Sequence, residues 1–166
     1  MNKTTVTSDK LLDIFVQHLS SEHHWSKHQI ERLIIHEDKS SISIPVTVFS
    51  TRLLGSFEAL VKFMHENLGL RLSQISKLIN RDPRTIWNAY HASQRKMPGP
   101  LQPADSTFHL PFDVFSSRKL SVLESIVHFL EPSGLGNSEL ARLINRDPRT
   151  ISTVRSRIAV KLKNER

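Results

Sequence analysis

The chain has 166 residues, a net charge of +7 and no cysteine, so disulfides, thiolate metal sites and cysteine nucleophiles are excluded. Its hydrophobic and charged fractions, 38% and 23%, are those of a globular protein, and no apolar run approaches the roughly 20 residues that span a bilayer. Net charge is −1 in residues 1–43, +5 in 44–100 and +3 in 101–166. The second and third segments therefore have either a surface that faces a polyanion or, more simply, a solvated basic face.

The first predicted element is a pair of amphipathic helices in residues 1–43. Apolar residues recur there at helical spacing, and Pro45 then prevents another long helix. The segment is either a degenerate copy of the two units that follow it or an unrelated helical pair. His24 and His28 have the i, i+4 spacing of a zinc-binding pair, but no third ligand follows, so we predict no metal site.

Two repeated units come next, in residues 44–96 and 110–166. The sequence LINRDPRTI occurs at 78–86 and again at 143–151, and the similarity extends upstream. Such self-similarity indicates a duplicated structural unit. Residues 97–109, rich in proline and small polar residues, are predicted to be a linker. Fully extended, it would reach about 40 Å.

Each unit opens with an apolar segment, at 41–49 and at 110–115. The first of these alternates apolar and polar residues, which is typical of a strand. The two segments are either extended arms that pack against the helices or edges that pair between units or between chains.

Three helices are predicted in each unit. Ser121 with Glu124 forms a capping box at the start of the first helix of the second unit. Gly55 with Glu58 is the weaker counterpart in the first unit. The second helix is short and starts after Ser73 or Ser138.

A turn and a third helix complete each unit. Asn80 and Asn145 fall at the turn, where asparagine tolerates a left-handed backbone. The dipeptide Asp-Pro then places aspartate at the N-cap and proline at the first helical position of the third helix, at 82–83 and 147–148. Two short helices with a tight turn and a capped, basic second member form the helix-turn-helix pattern.

The sequences LSQISKLINRDPRTI at 72–86 and NSELARLINRDPRTI at 137–151 resemble helix-turn-helix domains of bacterial and archaeal regulators, in particular the homeodomain-like C-terminal type of sigma factors. The shared features are a small residue within the second helix, a polar turn, a cap and an Arg-Thr pair before a β-branched residue. The resemblance implies an all-α fold with two tandem three-helix units, and binding of double-stranded DNA. After Ile86 the first unit departs from the second, so a shared base preference does not follow.

The candidate DNA-binding residues lie on the third helices and the turns before them. Helical geometry turns one face of each third helix outward, and arginine, asparagine, threonine and serine are side chains that contact base edges. We expect base contacts from Arg84, Thr85, Asn88 and His91 in the first unit, and from Arg149, Thr150, Ser152, Thr153, Ser156 and Arg157 in the second. We expect phosphate contacts from Arg81, Arg146, Lys161, Lys163 and the helix starts at Ser73 and Ser138. Trp87 and Tyr90 are ambiguous between stacking on DNA and packing.

These features predict a sequence-specific double-stranded DNA-binding protein, a transcriptional regulator with two recognition helices in successive major grooves. Two alternatives remain, an architectural DNA binder of the nucleoid and a protein-interaction module that uses the same surface. No enzyme, cofactor or membrane association is expected, and the protein is predicted to be cytoplasmic and nucleoid-associated. RNA polymerase or another protein is a candidate partner of residues 1–43, and a homodimer is left open.

Overall fold

A computed structural model describes residues 42–163. The fold is mostly helical with a small two-stranded sheet, and the described residues from Ser43 to Lys163 belong to one compact unit. The predicted N-terminal helical pair, with its histidines, lies outside the described residues. Within the described residues no helix has the length and apolar character needed to cross a bilayer.

Both repeats have the same order of elements. The first contains β1 (Ser43–Pro45), a 3₁₀ turn (Val46–Ser50), α1 (Ser56–Lys62), a π-helical turn (Phe63–Asn67), α2 (Leu72–Leu78) and α3 (Pro83–Lys96). The second contains β2 (His109–Pro111), a 3₁₀ turn (Phe112–Phe115), α4 (Val122–Leu130), a second 3₁₀ turn (Glu131–Ser133), α5 (Asn137–Leu143) and α6 (Pro148–Lys163).

The third helices begin where the caps predict. One carboxylate oxygen of Asp82 accepts a hydrogen bond from the Arg84 amide at 2.9 Å, and Asp147 accepts from the Arg149 amide at 2.7 Å. In each repeat, proline occupies the first helical position, where its missing N–H costs nothing. Both helix starts are therefore set by local side-chain chemistry.

The turns before the third helices are also confirmed. Asn80 and Asn145 both have a φ of 49°, in the left-handed region. Asparagine and aspartate tolerate this conformation better than other residues with a Cβ. The left-handed asparagine allows the chain to reverse direction within a four-residue turn. The turn brings α3 against α2, and α6 against α5.

The first helices have the predicted capping boxes. The Glu58 carboxylate accepts from the Gly55 amide at 2.9 Å, and the Glu124 carboxylate accepts from the Ser121 amide at 2.7 Å. The Ser121 hydroxyl completes its box by accepting from the Glu124 amide. Glycine at 55 has no hydroxyl to offer, so the first repeat has half of this arrangement.

Each repeat has its own small core, formed where the third helix packs on the first two. The buried stripe on α3 is Ile86, Ala89 and Ser93, and the buried stripe on α6 is Ile151, Val154 and Ile158. The opposite face of each third helix remains exposed, and the core thus determines which side chains are available to a ligand.

The segment between the repeats is not an extended tether. Leu101 is only 6% exposed, and its carbonyl accepts a hydrogen bond from the Asn67 side chain at 2.8 Å. The Thr47 hydroxyl donates to the Ala104 carbonyl, and the Val46 amide donates to the Phe108 carbonyl. The segment is held against the first repeat by burial and hydrogen bonds that its composition does not reveal, so an extension of about 40 Å between independent units does not describe this fold.

Candidate nucleic-acid interface

The two repeats join through their opening segments. Strands β1 and β2 pair antiparallel, with Ile44 opposite Leu110, and both of these side chains are fully buried. Of the sequence alternatives, pairing between units is the one observed. The ladder covers three residues on each side because the chain turns into 3₁₀ structure after Pro45 and after Pro111, which have no N–H to donate.

Behind the strands, aromatic and helical packing extends this junction. Phe49 and Phe115 are both 1% exposed, and their ring centroids lie 5.8 Å apart. Helices α1 and α4 contact each other alongside. The junction therefore has a continuous apolar centre, which fixes the two repeats relative to each other.

Arg81 and Arg146 bridge the repeats reciprocally. The Arg81 guanidinium donates to the carbonyls of Ser117 and Leu120, at 2.8 and 3.3 Å. The Arg146 guanidinium donates to the carbonyls of Thr51 and Leu54, at 3.1 and 3.3 Å. We expected phosphate contacts from these two arginines. Their terminal nitrogens donate to main-chain oxygens of the other repeat, so we assign both arginines a bridging role, and phosphate contact by either one stays a prediction.

Arg81→Ala is expected to lower the free energy of unfolding by about 1–2 kcal/mol, because charge-assisted hydrogen bonds to partly buried carbonyls are lost. Chemical denaturation followed by circular dichroism measures the change. Arg84→Ala is the matched control, since Arg84 is exposed three residues away and should change stability by less than about 0.5 kcal/mol. Equal losses in the two variants would contradict the bridging role.

A second arginine accompanies each bridge. Burial and the nearby charge of Arg118 lower the pKa of Arg81, and burial and Arg52 lower the pKa of Arg146 in the same way. Arg52 and Arg118 are exposed and occupy equivalent positions in the two repeats. Neither arginine was predicted from the sequence. Their signal was present in the repeat alignment, where they match at an offset of 66 residues.

The outward face of α3 carries the side chains expected there. Arg84, Thr85 and Asn88 are exposed, and His91 is half-buried. The His91 ring lies 4.0 Å from that of Trp87, which is itself 53% exposed. The face thus combines a cation, two hydrogen-bonding side chains and an open aromatic surface.

The outward face of α6 is polar and basic. Five of the six predicted residues are exposed, namely Arg149, Ser152, Thr153, Ser156 and Arg157, and Thr150 is half-buried. The Thr153 and Ser156 hydroxyls each donate to the carbonyl one turn earlier, at 3.0 and 3.2 Å. Each hydroxyl oxygen is still able to accept a hydrogen bond from a ligand.

The arginines on these two faces have no acidic partner among the described residues. The ion pairs of this part of the chain involve lysine or histidine, and none includes Arg84, Arg149 or Arg157. An intramolecular salt bridge would be a simpler role for an exposed arginine, and none is found for these three in residues 42–163. This absence leaves three guanidinium groups whose charge is open to an external anion.

Tyr90 belongs to the packing of the first repeat. Its ring meets His65 edge-on at 4.5 Å, and its hydroxyl accepts from the Gln94 side chain at 2.9 Å. The equivalent residue of α6, Arg155, donates to the Asn137 side chain at 2.7 Å. Both positions therefore hold the third helix against its own repeat. This packing accounts for the presence of Tyr90 without stacking on DNA.

The second helices start earlier than predicted. Helices α2 and α5 begin at Leu72 and Asn137, so Ser73 and Ser138 lie within the first turn and do not precede it. At the start of α5 the Glu139 carboxylate already accepts from the Gly136 amide at 2.7 Å. A carboxylate at this helix start repels a phosphate, so it disfavours the phosphate contact that we expected at Ser138.

Lys161 is engaged within the protein. Its ammonium group lies 2.6 Å from the Glu124 carboxylate, and the equivalent Lys96 lies 2.7 Å from Glu58. In both repeats the glutamate that caps the first helix therefore also ties down the third helix. Lys163 remains exposed, so it is the lysine we retain as a candidate for phosphate contact.

The ion pair between Lys161 and Glu124 predicts that the stability of the protein falls at acidic pH. Burial raises the pKa of Glu124, but hydrogen bonds from Lys161 and Ser121 outweigh it and hold the pKa below its usual value. A carboxyl whose pKa is depressed by folding stabilises the protein above its unfolded pKa, and this stability is lost as the pH falls through the folded value. Glu124→Gln should therefore cost about 1 kcal/mol at neutral pH and flatten the acid side of the stability curve.

Denaturation midpoints measured from pH 7 down to pH 3 test this expectation. Asp105→Asn, which alters an exposed carboxylate between the repeats, is the control and should leave the curve unchanged. If the denaturation midpoint of Glu124→Gln falls as steeply between pH 7 and pH 3 as that of the parent protein, the ion pair adds no stability.

The described residues contain no group of three or more histidine or acidic side chains placed to hold a metal ion. The chain matches no protein-family model, no curated protein and no solved structure. The candidate interface consists of the outward faces of α3 and α6, together with the exposed arginines Arg52 and Arg118.

Proposed function

We propose that the protein binds double-stranded DNA sequence-specifically as a transcriptional regulator, with α2–α3 and α5–α6 acting as two helix-turn-helix pairs. The observation that carries this proposal is the pair of outward faces on α3 and α6. Each starts from an aspartate cap, continues with an Arg-Thr pair and lacks acidic partners for its arginines among the described residues. Side chains at the start of such a helix are those that reach base edges in the major groove.

The chemistry of these faces suits base readout. Arginine can donate two hydrogen bonds to the O6 and N7 atoms of guanine, and asparagine pairs similarly with adenine. Arg84 and Arg149 are the candidates for guanine, and Asn88 is the candidate for adenine. Thr153 and Ser156 can contact several bases, so they distinguish between bases less strongly than the arginines and Asn88 do.

Affinity would come from phosphate contacts at the flanks of these faces. Arg118 lies close to the turn that precedes α3, Arg52 lies close to the turn that precedes α6, and Lys163 lies at the end of α6. Both arginines are exposed; the Arg52 Nε donates to the Asn145 carbonyl at 3.3 Å, and its terminal guanidinium nitrogens remain available to a phosphate. Each neutralised phosphate releases condensed counterions, so binding should weaken as salt rises. A chromosome-bound regulator of this kind would be cytoplasmic and nucleoid-associated, with RNA polymerase as a candidate partner of residues 1–43.

One observation favours a second candidate, a protein-interaction module. Trp87 exposes about half of its surface at the centre of the α3 face, and exposed tryptophan is enriched where proteins bind each other. This alternative predicts no DNA affinity at moderate salt and a partner whose binding is lost in Trp87→Ala.

Selection of fragments from a random duplex pool, followed by affinity measurement over a range of salt, tests the proposal. We expect the selected duplex to bind at least about 1,000-fold more tightly than unrelated duplex at physiological salt. Equal affinity for both duplexes would indicate an architectural binder. The absence of binding to either would favour the protein-interaction module.

A further inference from the structure

Resting on the proposed function, we infer that one chain recognises an inverted repeat of two unlike half-sites. The basis is the symmetry of the junction between the repeats. Residues of the first repeat correspond to those of the second at an offset of 66 up to the first helix, and of 65 from the second helix onward. With this correspondence, each contact across the junction can be compared with its counterpart.

Contacts at the centre of the junction join equivalent residues. Ile44 pairs with Leu110 in the sheet, and Phe49 packs on Phe115; in both pairs the partners are counterparts at an offset of 66. In an antiparallel pair, a residue faces its own counterpart only where a two-fold axis passes between the two strands. The antiparallel course of β1 and β2 agrees with such an axis through the Ile44–Leu110 pair.

The arginine bridges, which lie away from the centre, occur as a pair with exchanged roles. Arg81 donates to Ser117 and Leu120, whereas its counterpart Arg146 donates to Thr51 and Leu54. These acceptors are themselves counterparts, since Thr51 corresponds to Ser117 and Leu54 to Leu120. Units related by translation would form each contact once and leave its counterpart unused. The junction is therefore isologous, like that of a two-fold dimer made within one chain.

The same axis relates the two proposed recognition helices. Arg81 and Arg146 directly precede the caps of α3 and α6, so the reciprocal bridges fix the starts of both helices about the axis. Duplex DNA has two-fold axes perpendicular to its length, and two-fold proteins match them with inverted half-sites. A direct repeat would require one of the helices to be reversed, which the packed junction prevents.

The half-sites differ because the helices diverge after a shared start. Arg84-Thr85 and Arg149-Thr150 are identical, so both halves should contain the base that arginine reads. The outward positions that follow are different. Trp87, Asn88, His91 and Ala92 of α3 correspond to Ser152, Thr153, Ser156 and Arg157 of α6.

Reversal of one half-site tests the orientation. The full chain is first used to select its site from a random duplex pool, and one half of the selected site is then inverted at unchanged spacing. We expect the selected site to be an imperfect inverted repeat and the reversed version to bind about 100-fold more weakly, since the contacts of one helix are lost.

A variant whose two third helices carry the same outward residues tests whether the difference between the half-sites comes from these helices. The variant W87S/N88T/H91S/A92R gives α3 the outward residues of α6 at positions that are exposed or half-buried. Selection with this variant should return a perfect inverted repeat. Unchanged helix content and denaturation midpoint establish that the variant is folded. Selection of the same imperfect site by variant and parent would overturn the assignment of the half-sites.

The outcomes separate this inference from the proposed function. A direct repeat, or a single half-site that gains nothing from a second, would overturn the inverted repeat while leaving specific DNA binding in place. Enrichment of no sequence at all would overturn both. An imperfect inverted repeat from the parent and a perfect one from the variant would support both.

Discussion

Phe115→Ala is expected to lower the free energy of unfolding by about 3–5 kcal/mol, the largest effect on stability we predict for a single substitution. Phe115 is 1% exposed, and its ring packs on that of Phe49 at 5.8 Å in the centre of the junction. Removal of the ring leaves a cavity between two repeats that cannot collapse without breaking the β1–β2 pairing. Urea denaturation followed by circular dichroism measures the loss.

Phe129→Ala is the matched control for this prediction. Phe129 is in α4 of the same repeat but is 40% exposed, so its truncation should cost less than about 1 kcal/mol. A small effect of Phe115→Ala, or similar losses in the two variants, would show that the junction does not hold the repeats together. Two separate unfolding transitions in the parent protein would lead to the same conclusion.

Arg84→Ala and Arg149→Ala are each expected to weaken binding to the selected duplex by about 1–3 kcal/mol, or about 5- to 150-fold. The reason is the loss of a bidentate contact with guanine that a small side chain cannot replace. Titration of labelled duplex at fixed salt measures the effect. Both residues are exposed, so the stability of the protein should be unchanged within about 0.5 kcal/mol.

Arg84→Lys distinguishes base contact from charge. Lysine keeps the positive charge but lacks the planar fork that pairs with guanine. If Arg84 reads a base, the lysine variant should lose most of the discrimination against a mutated half-site. If it only neutralises a phosphate, the lysine variant should bind like the parent protein, and the proposed role of Arg84 would be wrong.

Features set by neighbouring residues were predictable from the sequence. The aspartate caps at 82 and 147, the left-handed asparagines at 80 and 145 and the capping box at Ser121 depend on contacts within a few residues. Propensity and spacing determine such features, so their positions in the structure agree with the sequence interpretation.

Features set by packing between the repeats were not predictable. Composition marks residues 97–109 as a linker, yet burial of Leu101 holds the segment in place. Arg81 has the sequence position of a phosphate contact, and only the fold brings the Ser117 and Leu120 carbonyls within its reach. Lys161 is similar, because its partner Glu124 lies 37 residues earlier in the chain.

The candidate site was predictable in part. The stripe of Ile86 and Ala89, and that of Ile151 and Val154, identified which face of each third helix would be exposed. The arginines at 52 and 118 were missed because they lie in irregular segments before the first helices, where periodicity gives no signal. A residue-by-residue comparison of the two repeats identifies them.

Methylation interference on the selected duplex tests the central claim most directly, because methylation of guanine N7 blocks the major-groove edge that the exposed faces of α3 and α6 are proposed to read. We predict interference at guanines in both half-sites for the parent protein. Arg84→Ala should remove it from one half-site and Arg149→Ala from the other. A pattern that is absent in the parent, or unchanged in both variants, would contradict base readout by these helices.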